Sequence, residues 1–228
     1  MIAIDKNIAA VNTRIQRSCD ENSRDRSTVA LLAVSKKQPV SAIRQAVAAG
    51  VADFGENYLQ EAEAKITELR EMSLIWHYIG VIQSNKTRAI ASLFDWVHSV
   101  DRLSIAHRLN DQRPDNMPPL NICLQINIDQ ESSKAGLSPA QLPDVLAAIK
   151  ALPRLQLRGL MAIPAAAAGP ELRRASFTRM HLLFDTMRCD YPQLDTLSMG
   201  MSADLELAIA EGATLLRVGT DIFGPRSS

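Results

Sequence analysis

Short apolar runs alternate with amphipathic segments along almost the whole chain, and this alternation limits the possible folds more than any other feature. The first run, TVALLAV at residues 28–34, is unbroken, as expected for a strand buried on both faces. The segment after it opens with Pro39, carries an apolar stripe and closes with Gly50, which is the usual order of a helix. Strict alternation of this kind indicates a parallel sheet covered by helices.

The pattern predicts eight strands, at residues 28–34, 51–54, 74–79, 95–100, 120–128, 155–163, 196–199 and 214–218. Helices are predicted between them, including 57–70, 85–94, 102–110, 172–188 and 204–211, and an extra helix at 4–15 precedes the first strand. Eight strand–helix units in roughly 200–250 residues are typical of a (β/α)8 TIM barrel. We therefore predict an α/β fold with one barrel domain over residues 1–228, and a surface loop at the alanine run 165–168.

An open, doubly wound sheet is the competing fold. It would need fewer strands and usually carries a glycine-rich first turn, but neither GxGxxG nor GxxxxGKS occurs in the chain. The barrel is therefore the favoured prediction.

Composition excludes several classes of partner. Lys and Arg total 25, as do Asp and Glu, and a net charge of zero argues against binding to nucleic acid or to an anionic membrane surface. No stretch approaches the roughly 20 apolar residues of a membrane span, and the N-terminal segment lacks a signal-peptide core. The three cysteines form no CxxC pair and the four histidines share no metal-site spacing. We expect a cytoplasmic protein without a metal site.

Polar residues that directly follow the predicted strands are the candidate site residues, because a barrel builds its site from these loops. Lys36 follows the first strand. Burial of its ammonium group would favour the neutral amine, the form that makes Schiff bases. A solvent-facing rim lysine beside Lys37 fits the position equally well. His77 lies within a strand and is interpreted as a core histidine.

Arg217 lies inside the last apolar run, where a buried guanidinium needs a partner, and a structural ion pair is the alternative to a site role. Gly219 and Thr220 follow the last strand, where many barrels hold a phosphate, although an ordinary turn also fits. Ser202 could cap the next helix or expose amides to an anion. For Asn57, the N-cap of the helix at 57–70 is the favoured interpretation.

Eight motifs occur in order between residues 31 and 226: AVSKK, FGENY, WHYIGVIQSNK, SVDR, INIDQESSKAG, GLMAIP, LSMGMSAD and RVGTDIFGPR. Together they closely resemble the YggS/PROSC family of pyridoxal 5′-phosphate (PLP) homeostasis proteins. The resemblance implies the barrel of alanine racemase and of the other fold-type III PLP proteins. It also implies that PLP is the cofactor.

The resemblance assigns roles to the matching positions of this chain. Lys36 matches the lysine that holds PLP as a Schiff base, Arg217 matches the arginine that faces the pyridine nitrogen, and Asn57 lies beside the cofactor. The residues implied to hold the phosphate are Ser202, Gly219 and Thr220.

The resemblance also marks lysines outside this set. Lys134 matches a lysine that is a candidate second PLP-handling position. Some relatives carry a lysine two places after the Schiff-base lysine, but Gln38 stands there in this chain, with Lys37 adjacent.

The chemistry of the implied site argues against efficient catalysis. An arginine cannot accept the pyridinium proton, so the ring remains a weak electron sink. Racemisation needs acid and base groups on both faces of Cα, and a barrel of this length leaves no residues for a second domain that would supply one of them. We expect a monomeric, non-catalytic protein that buffers PLP or delivers it to apo-enzymes. The alternatives are a slow PLP-dependent amino-acid racemase and a Schiff-base aldolase that uses Lys36.

Overall fold

The computed structural model describes residues 3–131, 134–164 and 169–225. Within them, eight parallel strands close into a barrel in sequence order, and the last strand pairs with the first. The strands are β1 (Ala30–Val34), β2 (Asp53–Glu56), β3 (Ile75–Tyr78), β4 (Trp96–Val100), β5 (Leu120–Gln125), β6 (Leu155–Met161), β7 (Thr196–Met201) and β8 (Leu215–Val218). The predicted (β/α)8 barrel is confirmed, whereas the loop expected at 165–168 lies outside the described residues.

Helices cover the outside of the barrel. They are α1 (Ile4–Glu21), α2 (Val40–Ala48), α3 (Leu59–Glu68), α4 (Thr87–Leu93), α5 (Leu103–Gln112), α6 (Leu142–Ile149), α7 (Pro170–Asp190), α8 (Leu205–Ala210) and α9 (Thr220–Phe223). Short 3-10 turns precede β1, α4 and α6. Across the described ranges, no helix has both the length and the apolarity that a membrane crossing requires.

The extra N-terminal helix is longer than predicted, since α1 continues to Glu21. Its buried stripe includes Ile8, Val11 and Ile15. This stripe packs α1 against α2, α8 and α9, so α1 braces the side of the barrel that carries the last two strands.

Strand boundaries differ from the sequence prediction by up to three residues, and two strands extend further than predicted. Strand β2 runs to Glu56 and β7 runs to Met201, so polar and glycine residues expected in loops lie within strands. The cause is long-range pairing: the buried carboxylate of Glu56 bonds to Lys65 of α3, which no local pattern reveals.

The capping interpretations of two site residues are wrong. Helix α3 begins at Leu59 with Tyr58 at its N-cap position, so Asn57 lies outside the cap. Helix α8 begins at Leu205 with Asp204 at the N-cap position, so Ser202 does not cap it. Both side chains are therefore available for other roles.

Candidate functional site

A cavity of about 270 Å³ lies where the carboxyl ends of the strands meet. Its walls come chiefly from the ends of β1, β2, β7 and β8 and from the loops that follow them. All six residues singled out in the sequence line it: Lys36, Asn57, Ser202, Arg217, Gly219 and Thr220. The barrel thus brings together positions as far apart in sequence as 36 and 220.

Lys36 lies two residues beyond β1, and its half-buried side chain lines the cavity while Lys37 is exposed. Hydrogen bonds among Ser35, Glu56 and Lys65 fix the loop that carries Lys36. The Ser35 hydroxyl donates to the Glu56 carboxylate at 2.6 Å, and the Lys65 ammonium donates to the Ser35 carbonyl at 2.7 Å. Lys65 also donates to Glu56 at 2.7 Å, so a buried ion pair fixes the backbone directly before Lys36.

Arg217 is buried in the barrel interior and contributes to the cavity wall. Its Nη1 donates to the carbonyl and hydroxyl oxygens of Ser198 at 2.7 and 2.8 Å, and its Nη2 donates to the carbonyl of Ala162 at 3.0 Å. Among the described residues no carboxylate pairs with it directly, so the alternative of a structural ion pair is not found. Burial lowers the pKa of Arg217 to about 10, opposed by the charge of Asp204, and the guanidinium remains protonated at neutral pH.

Ser202 lies beside the N-terminal end of α9. Its hydroxyl accepts the backbone N–H of Asp221 at 3.4 Å, and its carbonyl accepts Nη2 of Arg14 at 3.1 Å. Arg14 belongs to α1 and also forms an ion pair with Asp221. One arginine of the extra helix therefore joins the loop after β7 to the helix after β8.

Gly219 and Thr220 form the junction between β8 and α9. The Gly219 carbonyl accepts the amides of Ile222 and Phe223, which closes the first turn of α9. A side chain at Gly219 would place Cβ 3.2 Å from the Val34 carbonyl oxygen, so the close approach of β1 and β8 favours glycine here. The first amides of a helix have no partner within the helix, and they favour an anion at this end of the cavity.

The amide oxygen of Asn57 is buried and has no hydrogen-bond partner among the residues that the structure describes. A buried acceptor without a donor costs about 1–3 kcal/mol, and native proteins tolerate this chiefly where a ligand supplies the missing contact. The backbone at Asn57 is packed closely against Gly80, where an added Cβ would lie 2.1 Å from the Asn57 carbonyl oxygen. This unsatisfied oxygen makes the cavity a suitable place for a polar ligand.

Lys134 does not line the cavity. Its ammonium donates to the carbonyl of Ile163 at 3.2 Å, and Ile163 is a lining residue, so Lys134 lies just behind the wall.

Sequence reasoning missed the apolar part of the lining. These residues are Val34, Ile79, Ile163 and Met201. Their position at or near strand ends is the only signal that the sequence offers for them. The described part of the chain contains no cluster of three side chains suited to hold a metal.

The family of the chain follows from sequence comparison. The sequence profile described as "Alanine racemase, N-terminal domain" matches residues 3–227. A relative from Pseudomonas aeruginosa, named pyridoxal phosphate homeostasis protein, is 55% identical over 226 residues, which cover 99% of this chain and 97% of the relative. The chain belongs to the pyridoxal phosphate homeostasis protein family. That family in turn carries the alanine racemase N-terminal domain.

Solved structures agree with this membership of the homeostasis protein family. PipY of Synechococcus elongatus, solved with PLP bound, matches with a TM-score of 0.80 and 41% identity, over 92% of this chain and 100% of PipY. Alanine racemase from Corynebacterium glutamicum matches with a TM-score of 0.71 and 16% identity, over 99% of this chain and 62% of the racemase. The second likeness concerns the barrel fold alone.

Proposed function

We propose that this protein binds PLP in the cavity at the carboxyl ends of the strands and serves intracellular PLP homeostasis by buffering or delivering it. One observation carries the proposal: an amine, a guanidinium, an asparagine with an unsatisfied amide oxygen and the start of α9 at Gly219 and Thr220 line a single cavity of the described chain. The relatives named for PLP homeostasis and the PLP-bound PipY structure support the same ligand.

The residues present fit this ligand. The Lys36 amine would hold PLP covalently, since PLP supplies an aldehyde that reacts with amines. Arg217 would donate a hydrogen bond to the ring nitrogen, and Asn57 would offer an acceptor at the cavity wall. The phosphate is held by Ser202, Gly219 and Thr220, at the end of the cavity that Arg14 braces.

The hydrogen-bonding chemistry of Arg217 favours PLP binding without catalysis over an enzymatic function. Its guanidinium offers only donors, so the ring nitrogen stays unprotonated and the cofactor is a weak electron sink. Slow racemisation of amino acids is the second candidate function. The match of residues 3–227 to the alanine racemase N-terminal domain favours it, because Lys36 could act as a base on one face of a substrate.

The experiment that tests PLP binding compares two neighbouring lysines in the full chain. Wild-type protein and Lys37→Ala should show a visible absorption band after incubation with PLP and gel filtration, and Lys36→Ala should lack it. Lys37 is the matched control because it is adjacent and exposed. A full band in Lys36→Ala would refute the covalent role of Lys36.

The racemase candidate is tested separately. Prolonged incubation of the PLP-loaded protein with several L-amino acids, followed by chiral chromatography, should yield no D-isomer above the level seen with free PLP. D-isomer production that disappears in Lys36→Ala would establish the racemase instead.

We further propose that residues 1–228 form one PLP-binding domain that acts as a monomer in the cytoplasm and transfers PLP to apo-enzymes in transient contacts. The cysteines support a reducing compartment, since Cys19, Cys123 and Cys189 are all free thiols. Light scattering tests the monomer. Recovery of apo-enzyme activity upon mixing with loaded wild type, but not with Lys36→Ala, tests the transfer.

A further inference from the structure

A line of buried hydrogen bonds crosses the barrel interior and ends at Arg217. The Asp53 carboxylate lies 3.0 Å from His77 Nε2, and His77 Nδ1 lies 2.9 Å from His98 Nε2. His98 Nδ1 lies 2.9 Å from the Ser198 hydroxyl, which lies 2.8 Å from Arg217 Nη1. The line joins β2, β3, β4, β7 and β8, from the first residue of β2 to the cavity at the other end of the barrel.

The three middle members are sealed from water, since His77 is 1% exposed and His98 and Ser198 are 0% exposed. The Asp53 side chain is 39% exposed and so reaches solvent. Burial lowers the pKa of His77 and holds that of His98 well below its ordinary value, so both rings are neutral at pH 7. The resulting structure is an insulated polar path through an otherwise apolar core.

The chemistry of the end groups fixes the direction of every proton along this line. The Asp53 carboxylate only accepts, so neutral His77 carries its proton on Nε2 and accepts at Nδ1. His98 must then donate from Nε2 and accept at Nδ1 from the Ser198 hydroxyl. With its own proton engaged, Ser198 can only accept from Arg217.

This arrangement fixes the guanidinium at the cavity wall. Three of the five N–H groups of Arg217 bond to Ser198 and Ala162, which leaves two for a ligand in the cavity. A serine free to turn its hydroxyl proton toward Arg217 would repel the guanidinium instead. The hydrogen bonds that start at Asp53 direct the hydroxyl proton of Ser198 toward His98 and so prevent this repulsion.

We propose that Asp53, His77, His98 and Ser198 form a positioning relay, which holds Arg217 as a donor toward the cavity and couples the solvent-facing carboxylate to the ring nitrogen of PLP. The coupling to PLP rests on the proposed function. The relay itself is a property of the cofactor-free chain. Its four members do not line the cavity and act on it through Arg217, so they are positioning residues.

The first test uses cofactor-free protein. Long-range nitrogen-15 NMR of the imidazole rings should show both buried histidines neutral and protonated at Nε2 at pH 7. In Asp53→Ala, both rings should lose this unique form while the protein remains folded, whereas in Ser198→Ala the His98 ring should keep it, because His77 Nδ1 still accepts from His98. A wild-type spectrum with His98 protonated at Nδ1, or with either ring charged, would overturn the relay.

The second test loads the protein with PLP labelled at the ring nitrogen. Asp53→Ala and Ser198→Ala should shift the label's NMR signal and weaken PLP retention roughly 2- to 10-fold, equivalent to about one hydrogen bond. Asp53→Asn should restore wild-type values, because its amide oxygen still accepts from His77. Val97→Ala is the control, since Val97 is buried next to His98 on β4 and points to the opposite face.

The outcomes separate the two proposals. Absence of PLP binding in wild type would refute the proposed function and leave the tautomer test to decide the relay. The coupling alone would be refuted if PLP bound normally and if the nitrogen signal and the PLP retention were the same in wild type, Asp53→Ala and Ser198→Ala. A change in Val97→Ala as large as in Ser198→Ala would also refute it, by showing a general effect of destabilisation.

Discussion

Lys65 donates a hydrogen bond of 2.7 Å to the backbone carbonyl of Ser35, the residue directly before Lys36. Helix α3 thereby holds the peptide that carries the proposed Schiff-base lysine. The same ammonium forms a buried ion pair with Glu56. Burial raises the pKa of the Glu56 carboxyl, although the charge of Lys65 acts to lower it. The site thus depends on a charge pair that lies outside the cavity.

Removal of Lys65 should strongly destabilise the protein. Lys65→Met leaves the Glu56 carboxylate buried without a counter-charge, which typically costs about 3–5 kcal/mol. Urea unfolding monitored by circular dichroism measures the loss. The double variant Lys65→Met with Glu56→Gln should regain much of the lost stability. A loss of unfolding free energy in the double variant that equals or exceeds the sum of the two single losses would contradict the role of the pair.

Arg14 should act on the phosphate end of the cavity from outside it. Arg14→Ala releases the Ser202 carbonyl and the Asp221 carboxylate, so the segments after β7 and β8 lose the link through Arg14 and keep only the weaker bond from the Asp221 amide to the Ser202 hydroxyl between those two residues. PLP affinity should fall roughly 2- to 10-fold, with a smaller effect on pyridoxal, as measured by titration calorimetry. Arg17→Ala is the control, because Arg17 is exposed, lies one turn later and forms an ion pair with Glu21 on its own helix. Equal effects of the two variants would contradict the link.

Thr220 is proposed to contact the phosphate. Thr220→Val keeps the shape of the side chain and removes the hydroxyl, so PLP binding should weaken by about 1 kcal/mol, the value of a neutral hydrogen bond. Because Thr220 is exposed, the fold should be unaffected. Parallel titration with pyridoxal decides the point: an equal loss of affinity for pyridoxal would show that Thr220 does not act through the phosphate.

Acid should destabilise the fold through His98. Burial, then the neighbouring charges of His77 and Arg217, hold the pKa of His98 well below 6.5, while Asp53 and Asp95 act on His77 in the opposite direction. The unfolded chain takes up a proton near pH 6.5 and the folded chain does not. The free energy of unfolding should therefore fall below that pH, by up to about 1.4 kcal/mol per pH unit for each such histidine.

Urea unfolding at a series of pH values checks this slope. His98→Gln removes one titrating group, so its unfolding free energy should depend less steeply on pH between about 5 and 6.5. A matched substitution at the exposed His107, His107→Gln, is measured beside it. A wild-type slope in His98→Gln would contradict the origin proposed for it.

The barrel could be predicted from the sequence because its strands are buried on both faces and read as apolar runs. Glu56 escaped that prediction although it lies within β2, and Ser198, inside the predicted strand 196–199, gave no sign of its partners. Each is polar and satisfied by partners distant in sequence, Lys65 for the first and His98 with Arg217 for the second. A local pattern carries no trace of such pairing.

The candidate site, like the fold, could be predicted from the sequence only in part. The six residues singled out from motifs all line one cavity, because a barrel gathers strand ends at a common rim. The interpretation of Asn57 as a helix cap failed, since its helix starts two residues later. The roles of Arg14 and His98 were beyond sequence reasoning, because each depends on which side chains face one another across the fold.

The position of the covalent link tests the central claim most directly. Loaded wild-type protein is reduced with borohydride, which makes a Schiff base permanent, and the modified peptide is located by mass spectrometry. We predict a single pyridoxyl-phosphate group on Lys36. Modification mainly at Lys134 or Lys37, or no modification of a protein that retains PLP, would contradict the account.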